Sequence, residues 1–99
     1  MFVETQIKNR PDRSIAWCPD VDSDYPRLLD AQYRYDGRLI NAVYQMSENA
    51  LQLTRTMIFL NRAARDAFFA DPIMAALEAR AVRYDAENKI TVRIVQDGE

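Results

Sequence analysis

Residues 39–72 read LINAVYQMSENALQLTRTMIFLNRAARDAFFADP, a stretch with no glycine and no proline before its last residue. In its first third Ile40, Ala42, Tyr44 and Met46 alternate with Leu39, Asn41, Val43 and Gln45, the period of two that makes a strand. Apolar side chains fall in both sets, so both faces of this strand should be at least partly covered. Ser47-Glu48-Asn49 has turn composition, and Leu51 to Leu60 is again rich in β-formers. The two runs therefore predict a hairpin. Asn61 can then cap a helix through Phe69, and Asp71-Pro72 marks a second helix start, with Ile73, Leu77, Ala81 and Tyr84 at three-to-four spacing. A single helical region with a break near residue 71 is the expectation, because the residue before a proline resists the α conformation, and Asn88 can end it.

The elements on either side complete the pattern. Residues 1 to 9 alternate Val3, Thr5 and Ile7 with Glu4, Gln6 and Lys8, giving a first strand. From Arg10 to Asp20 prolines and turn formers make a loop of about ten residues that holds Trp17 and Cys18. Asp22, Ser23 and Asp24 offer caps for a helix carrying Leu28, Leu29, Gln32 and Tyr33 as its stripe, with Gly37 as its stop. Lys89 to Gln96 alternates as a last strand. The order β, α, β, β, α, β is the split βαβ of an α+β ferredoxin-like fold, a four-stranded antiparallel sheet with two helices on one face, and residues 1–99 are expected to form one domain.

The helix-facing side is drawn from the more apolar sets: Val3 and Ile7, Ala42 and Tyr44, Leu53, Met57 and Phe59, then Ile90, Val92 and Ile94. The opposite face would carry Glu4, Gln6 and Lys8 beside Val43, Thr54, Thr56, Ile58, Leu60 and Val95. An apolar patch on an otherwise exposed sheet marks an interface, so the expected assembly is a homodimer through Val43, Thr54, Thr56, Ile58, Leu60 and Val95. A 99-residue chain buries only roughly 60 to 65% of its surface when folding alone, which favours a partner copy.

Composition excludes several functions. Thirteen basic residues against fifteen acidic leave a net charge of -2, unsuited to neutralising nucleic-acid phosphates or a membrane surface. With no His and one Cys, the chain lacks the usual metal ligands and any internal disulfide, so neither a metal nor another cofactor is expected. Met1-Phe2-Val3-Glu4 lacks the basic, apolar start of a signal peptide, and the expected location is cytoplasmic. Asp20, Asp22 and Asp24 have the spacing of a calcium loop without its Gly and distal Glu, and capping explains them more simply. Cys18, with no His to activate it, reads as inert.

Arg55 is the residue most suggestive of a site. Alternation places it between Leu53 and Met57 on the helix side, where an unpaired charge is costly. It either holds an anionic or carbonyl-bearing ligand in a pocket with Tyr44, Tyr33 and Trp17, or forms an internal ion pair with Asp30 or Glu78. Trp17 can be a lid, an anchor in a second subunit or, more simply, a plug at its own core edge.

The element order, the mixed sheet face and the stretch Asn61-Arg62-Ala63-Ala64-Arg65-Asp66-Ala67-Phe68-Phe69-Ala70-Asp71-Pro72 resemble the dimeric α/β-barrel superfamily over most of the chain. The resemblance implies sheet-to-sheet pairing of two subunits into a barrel. Members of that superfamily include cofactor-independent monooxygenases and isomerases, and haem proteins that depend on His, for which this His-free chain is no match. No catalytic motif matches residue by residue. Three roles therefore stand: a small-molecule binder, a cofactor-free enzyme, or a structural or protein-interaction subunit.

Overall fold

A computed structural model describes residues 1–19 and 24–99. Strand β1 is Phe2–Asn9, helix α1 Asp24–Tyr35, strand β2 Leu39–Met46, strand β3 Gln52–Phe59, helix α2 Arg62–Ala70, helix α3 Pro72–Glu87 and strand β4 Thr91–Gly98. The sheet runs β2-β3-β1-β4 with every neighbouring pair antiparallel, which is the ferredoxin-like order. Asp22 and Ser23, expected as helix caps, and Asp20 lie outside the described residues, and no cluster of metal-ligating side chains occurs among the described ones.

The expected break at residue 71 divides two helices. Asn61 Oδ1 accepts from the Ala64 amide at 2.8 Å, starting α2. Asp71 ends that helix and starts the next, its Oδ1 accepting from the Ile73 and Met74 amides at 3.0 and 3.1 Å with Pro72 in the first turn. The Tyr25 hydroxyl donates to Asp71 Oδ2 at 2.7 Å, which fixes α1 against this junction. These bonds hold the Asp71 carboxyl below its ordinary value. Strand β4 begins two residues later than expected. Lys89 has a φ of 58° and the Ile90 amide still bonds the Asp85 carbonyl at 2.8 Å, so the chain closes the helix before it can extend.

The register fixes which side chains share a face. Toward the helices lie the rows Ala42–Met57–Glu4–Gln96, Tyr44–Arg55–Gln6–Ile94 and Met46–Leu53–Lys8–Val92. Phe2, Leu39 and Phe59 pack with Leu29, Tyr33, Phe68 and Met74 to form the core between this face and the helices. The expected faces of β1 are therefore exchanged: Glu4 and Lys8 point inward, while Val3 and Ile7 point outward. The reason is the fully buried ring of Phe2, together with partners that the helices bring to both charges. Arg65 Nη2 of α2 meets Glu4 Oε1 at 2.8 Å, as does Gln96 Nε2 at 2.7 Å, and Asp85 Oδ2 of α3 meets Lys8 Nζ at 2.8 Å. A buried charge with such partners avoids the desolvation penalty that alternation alone would have predicted.

Strand β2 also departs from expectation. An irregularity between Leu39 and Asn41 turns Leu39 into the core, so its side chain joins the same face as Ala42. Beyond Ala42 the strand is exposed on both faces within one chain. On the first helix the buried stripe is Leu29 and Tyr33, whereas Leu28 faces solvent.

The outer face carries the rows Val43–Thr56–Thr5–Val95, Asn41–Ile58–Val3–Asp97 and Gln45–Thr54–Ile7–Arg93. Its two central strands present no charge at all.

Candidate functional site

The site is built where the long loop after β1 meets the inner face of the sheet. Arg10 orders that loop: its Nε donates to the Ala50 carbonyl and its Nη1 to the Ile15 carbonyl, both at 2.8 Å, and its guanidinium lies 4.5 Å over the Trp17 ring. From α3 the Tyr84 hydroxyl donates to the Ala16 carbonyl. Trp17 and the buried Cys18 are thereby held against the sheet. Sequence reading named Trp17 and missed Arg10, whose role depends on carbonyls five and forty residues away.

Between this loop, α1, α2, α3 and strands β2 and β3 lies a cavity of about 400 Å³. Trp17, Tyr44 and Arg55 all line it, beside Leu53, Met57 and Met74. Tyr33 does not. Its ring is buried in the core, edge-on to Phe68 with centroids 5.2 Å apart and with the Arg38 guanidinium 3.6 Å over its face. A volume of this size with mostly apolar walls and few polar groups is that of a small-molecule site.

Arg55 is the head of the cavity. Register sets it between Tyr44 and Gln6, and its side chain is 14% exposed. Its Nη1 lies 3.6 Å from Glu78 Oε1 and its guanidinium 5.6 Å over the Phe69 ring. The ion pair with Glu78 was one of the two alternatives expected for it. At 3.6 Å this is a loose pair, longer than the 2.7–2.9 Å of a charge-assisted hydrogen bond. Among the described residues no hydrogen bond satisfies any of the guanidinium's five donors. Cavity and ion pair therefore coexist at one residue.

Asp30 of α1 also lines the cavity, with Oδ2 3.5 Å from Arg34 Nε. Burial raises its carboxyl above the ordinary value of 3.8, against the pull of Arg34 and, more weakly, Arg55. A carboxylate raised in this way favours the fold when protonated, so its contribution declines as pH rises from 3.8 through the elevated value. Asp30→Asn is expected to remove that decline in denaturation curves taken across pH. The same substitution deletes a negative charge from the wall and should tighten the binding of an anion there severalfold.

The cavity continues past Arg55. A narrow space of about 30 Å³ bounded by Trp17, Arg55, Gln6, Lys8 and Glu78 lies between the sheet and α3. Among the described residues, no helix is long and apolar enough to cross a membrane.

No family profile matches the sequence, and neither does any curated protein. Solved structures do match. A Deinococcus radiodurans protein provisionally described as an antibiotic biosynthesis monooxygenase superimposes with a TM-score of 0.65 at 11% identity, over 100% of this chain and 92% of its own. The chain shares that protein's fold. A second antibiotic biosynthesis monooxygenase gives 0.60 at 12% identity over 98% and 97% of the two chains. A protein from Shewanella oneidensis gives 0.58 at 12% identity, over 97% and 90%. At these identities the likeness is one of ferredoxin-like architecture, and fold does not select a reaction.

Proposed function

We propose that the protein is a homodimer, paired through the outer sheet faces, whose subunits each bind a small and mostly apolar molecule bearing an anionic oxygen group. The observation that carries this reading is the Arg55 guanidinium: nearly buried, at the head of a 400 Å³ cavity, and without a hydrogen bond among the described residues. A planar fork of donors in that setting is complementary to a carboxylate, an enolate or a phenolate. Trp17, Met57 and Met74 supply the apolar and polarisable walls against which the body of such a molecule packs. The cavity itself weighs against a purely structural subunit, whose interior would be filled by side chains.

The similar structures include monooxygenases by description, and the binding reading requires none of their chemistry. It also accounts for why a charge is kept on the inner face of β3, where a methionine or leucine would pack without desolvation. Benzoate titrated into the protein, with Trp17 fluorescence as the signal, tests the reading. Saturable quenching is expected, and Arg55→Met should weaken it by roughly tenfold to a hundredfold, the size of a lost charged hydrogen bond. Because Glu78 is one-third exposed and returns to water when its partner leaves, the same variant should cost no more than about 1 kcal/mol of stability. Binding that is equally tight in Arg55→Met overturns the proposal.

A further inference from the structure

The Arg55 cavity has a second polar anchor. Arg55 lines it from strand β3 in the sheet, and Asp30 lines it from α1 in the helix layer. The Asp30 side chain is 31% exposed, so a group the size of water reaches it. Among the described residues its one partner is Arg34, whose Nε stands 3.5 Å from Oδ2. That contact is long for a hydrogen bond, and it leaves Oδ1 without a donor. Burial holds the carboxyl above its ordinary value, as expected of a carboxylate short of hydrogen bonds.

The other polar groups on the wall do not compete for this role. Trp17 Nε1 has no partner, but it is closed to water and therefore to a ligand atom. Tyr44 is more than half exposed and needs no ligand to satisfy its hydroxyl. Arg27, one turn before Asp30 on α1, adds a second cation. A carboxylate oxygen that is open to the cavity and lacks a donor calls for one, just as the Arg55 guanidinium calls for an acceptor. One molecule can answer both.

Charge decides what the second end of that molecule carries. A second carboxylate would meet the like charge of Asp30. An ammonium would gain Asp30 but meet Arg34, which is already beside that carboxylate, and Arg27 on the same side of α1. A neutral hydroxyl has neither problem, since it donates to the carboxylate and brings no charge of its own. We infer that the molecule held by Arg55 is a hydroxy acid, with its anionic group on the guanidinium, an apolar body against Trp17, Met57 and Met74, and at the far end a neutral hydroxyl that donates to Asp30. The inference rests on the proposed Arg55 site and adds its second anchor, which selects among the anions that Arg55 alone would accept.

The Met57 and Met74 methyl resonances of the full chain, followed in separate titrations with benzoate, 3-hydroxybenzoate, 4-hydroxybenzoate, terephthalate and 4-(aminomethyl)benzoate, test the inference. The two hydroxybenzoates carry the donor at different reaches, and the better of them is expected to bind about tenfold more tightly than benzoate, the size of a hydrogen bond to a charged group. Terephthalate should bind more weakly than benzoate, and the ammonium analogue should show no gain over it. Asp30→Ala keeps a strong helix former in α1. In that variant benzoate should tighten severalfold and the preference for the hydroxybenzoate should vanish. The inference is overturned if neither hydroxybenzoate exceeds benzoate, if the ammonium analogue binds best, or if the preference survives Asp30→Ala. In each of those cases benzoate that is still weakened by Arg55→Met leaves the Arg55 site standing. Benzoate that does not bind, or binds Arg55→Met equally well, removes the Arg55 site and this inference with it.

Discussion

Ile58→Asp is expected to convert the proposed dimer into single chains in sedimentation velocity at micromolar concentration. On the outer face Ile58 sits between Asn41 and Val3, one row from Val43, Thr56, Thr5 and Val95. The central strands β1 and β3 offer only the uncharged Val3, Thr5, Ile7, Asn9, Gln52, Thr54, Thr56 and Ile58 to that face, and the charges Arg93 and Asp97 are confined to β4 at the sheet edge. A sheet surface with an uncharged centre and a charged margin has the make-up of an interface core and rim. A two-fold interface places two copies of any substitution in the contact. Burying even one unpaired carboxylate there costs about 4 kcal/mol, which is roughly a thousandfold in dimer dissociation. Leu28→Asp, on the solvent side of α1, is the control and should leave the assembly intact. An Ile58→Asp protein that still sediments as two chains would move the contact to another surface and remove the dimer from the proposal.

That face is also where sequence and structure part most instructively. The period of two in residues 1 to 9 is plain, and the strand it predicts is there. Periodicity gives two alternating sets but not which of them points inward. Choosing the apolar set of β1 for the core puts Glu4 and Lys8 outside, whereas Phe2 and the distant partners Arg65, Gln96 and Asp85 bring them inside. Those partners lie 61 to 92 residues away for Glu4, so no local pattern could disclose them. The exchange makes the outer face more apolar than the sequence reading had it, adding Val3 and Ile7. In β3 and β4 the apolar set is also the inner one, so the faces of these two strands follow from alternation although their ends do not: β3 stops at Phe59, short of Leu60, and β4 starts at Thr91.

The candidate site was legible to a similar depth. Arg55 is conspicuous because it interrupts an inward-facing apolar run, and Tyr44 follows from the neighbouring strand of the same hairpin. Tyr33 has the right helix and the wrong angle: with Leu29 it forms the buried stripe of α1, so its ring enters the core rather than the cavity. The placement of Trp17 and Cys18 depends on Arg10 and Tyr84 anchoring a loop that has no period of its own. Loop geometry of that kind is fixed by tertiary bonds, which leave no spacing in the sequence.

Lys8→Met is expected to lower stability by about 3–5 kcal/mol in urea denaturation, the scale of a buried pair broken from one side. Lys8 lies between Leu53 and Val92 in its row, and its chain of methylenes can be replaced by methionine with little change in volume. The penalty arises from what is left behind. Asp85 is 4% exposed and already has one oxygen without a partner, so loss of the ammonium leaves the whole carboxylate unpaired in an apolar setting. Lys8→Met combined with Asp85→Leu removes both charges together and should recover most of the loss, because an apolar pair in place of a buried ion pair is often neutral or stabilising. A single variant that costs less than about 1 kcal/mol would mean that water reaches Asp85 freely. Lys8 would then be a solvated group, and the inward facing of the strand would rest on Phe2 and on Glu4 with its partners Arg65 and Gln96.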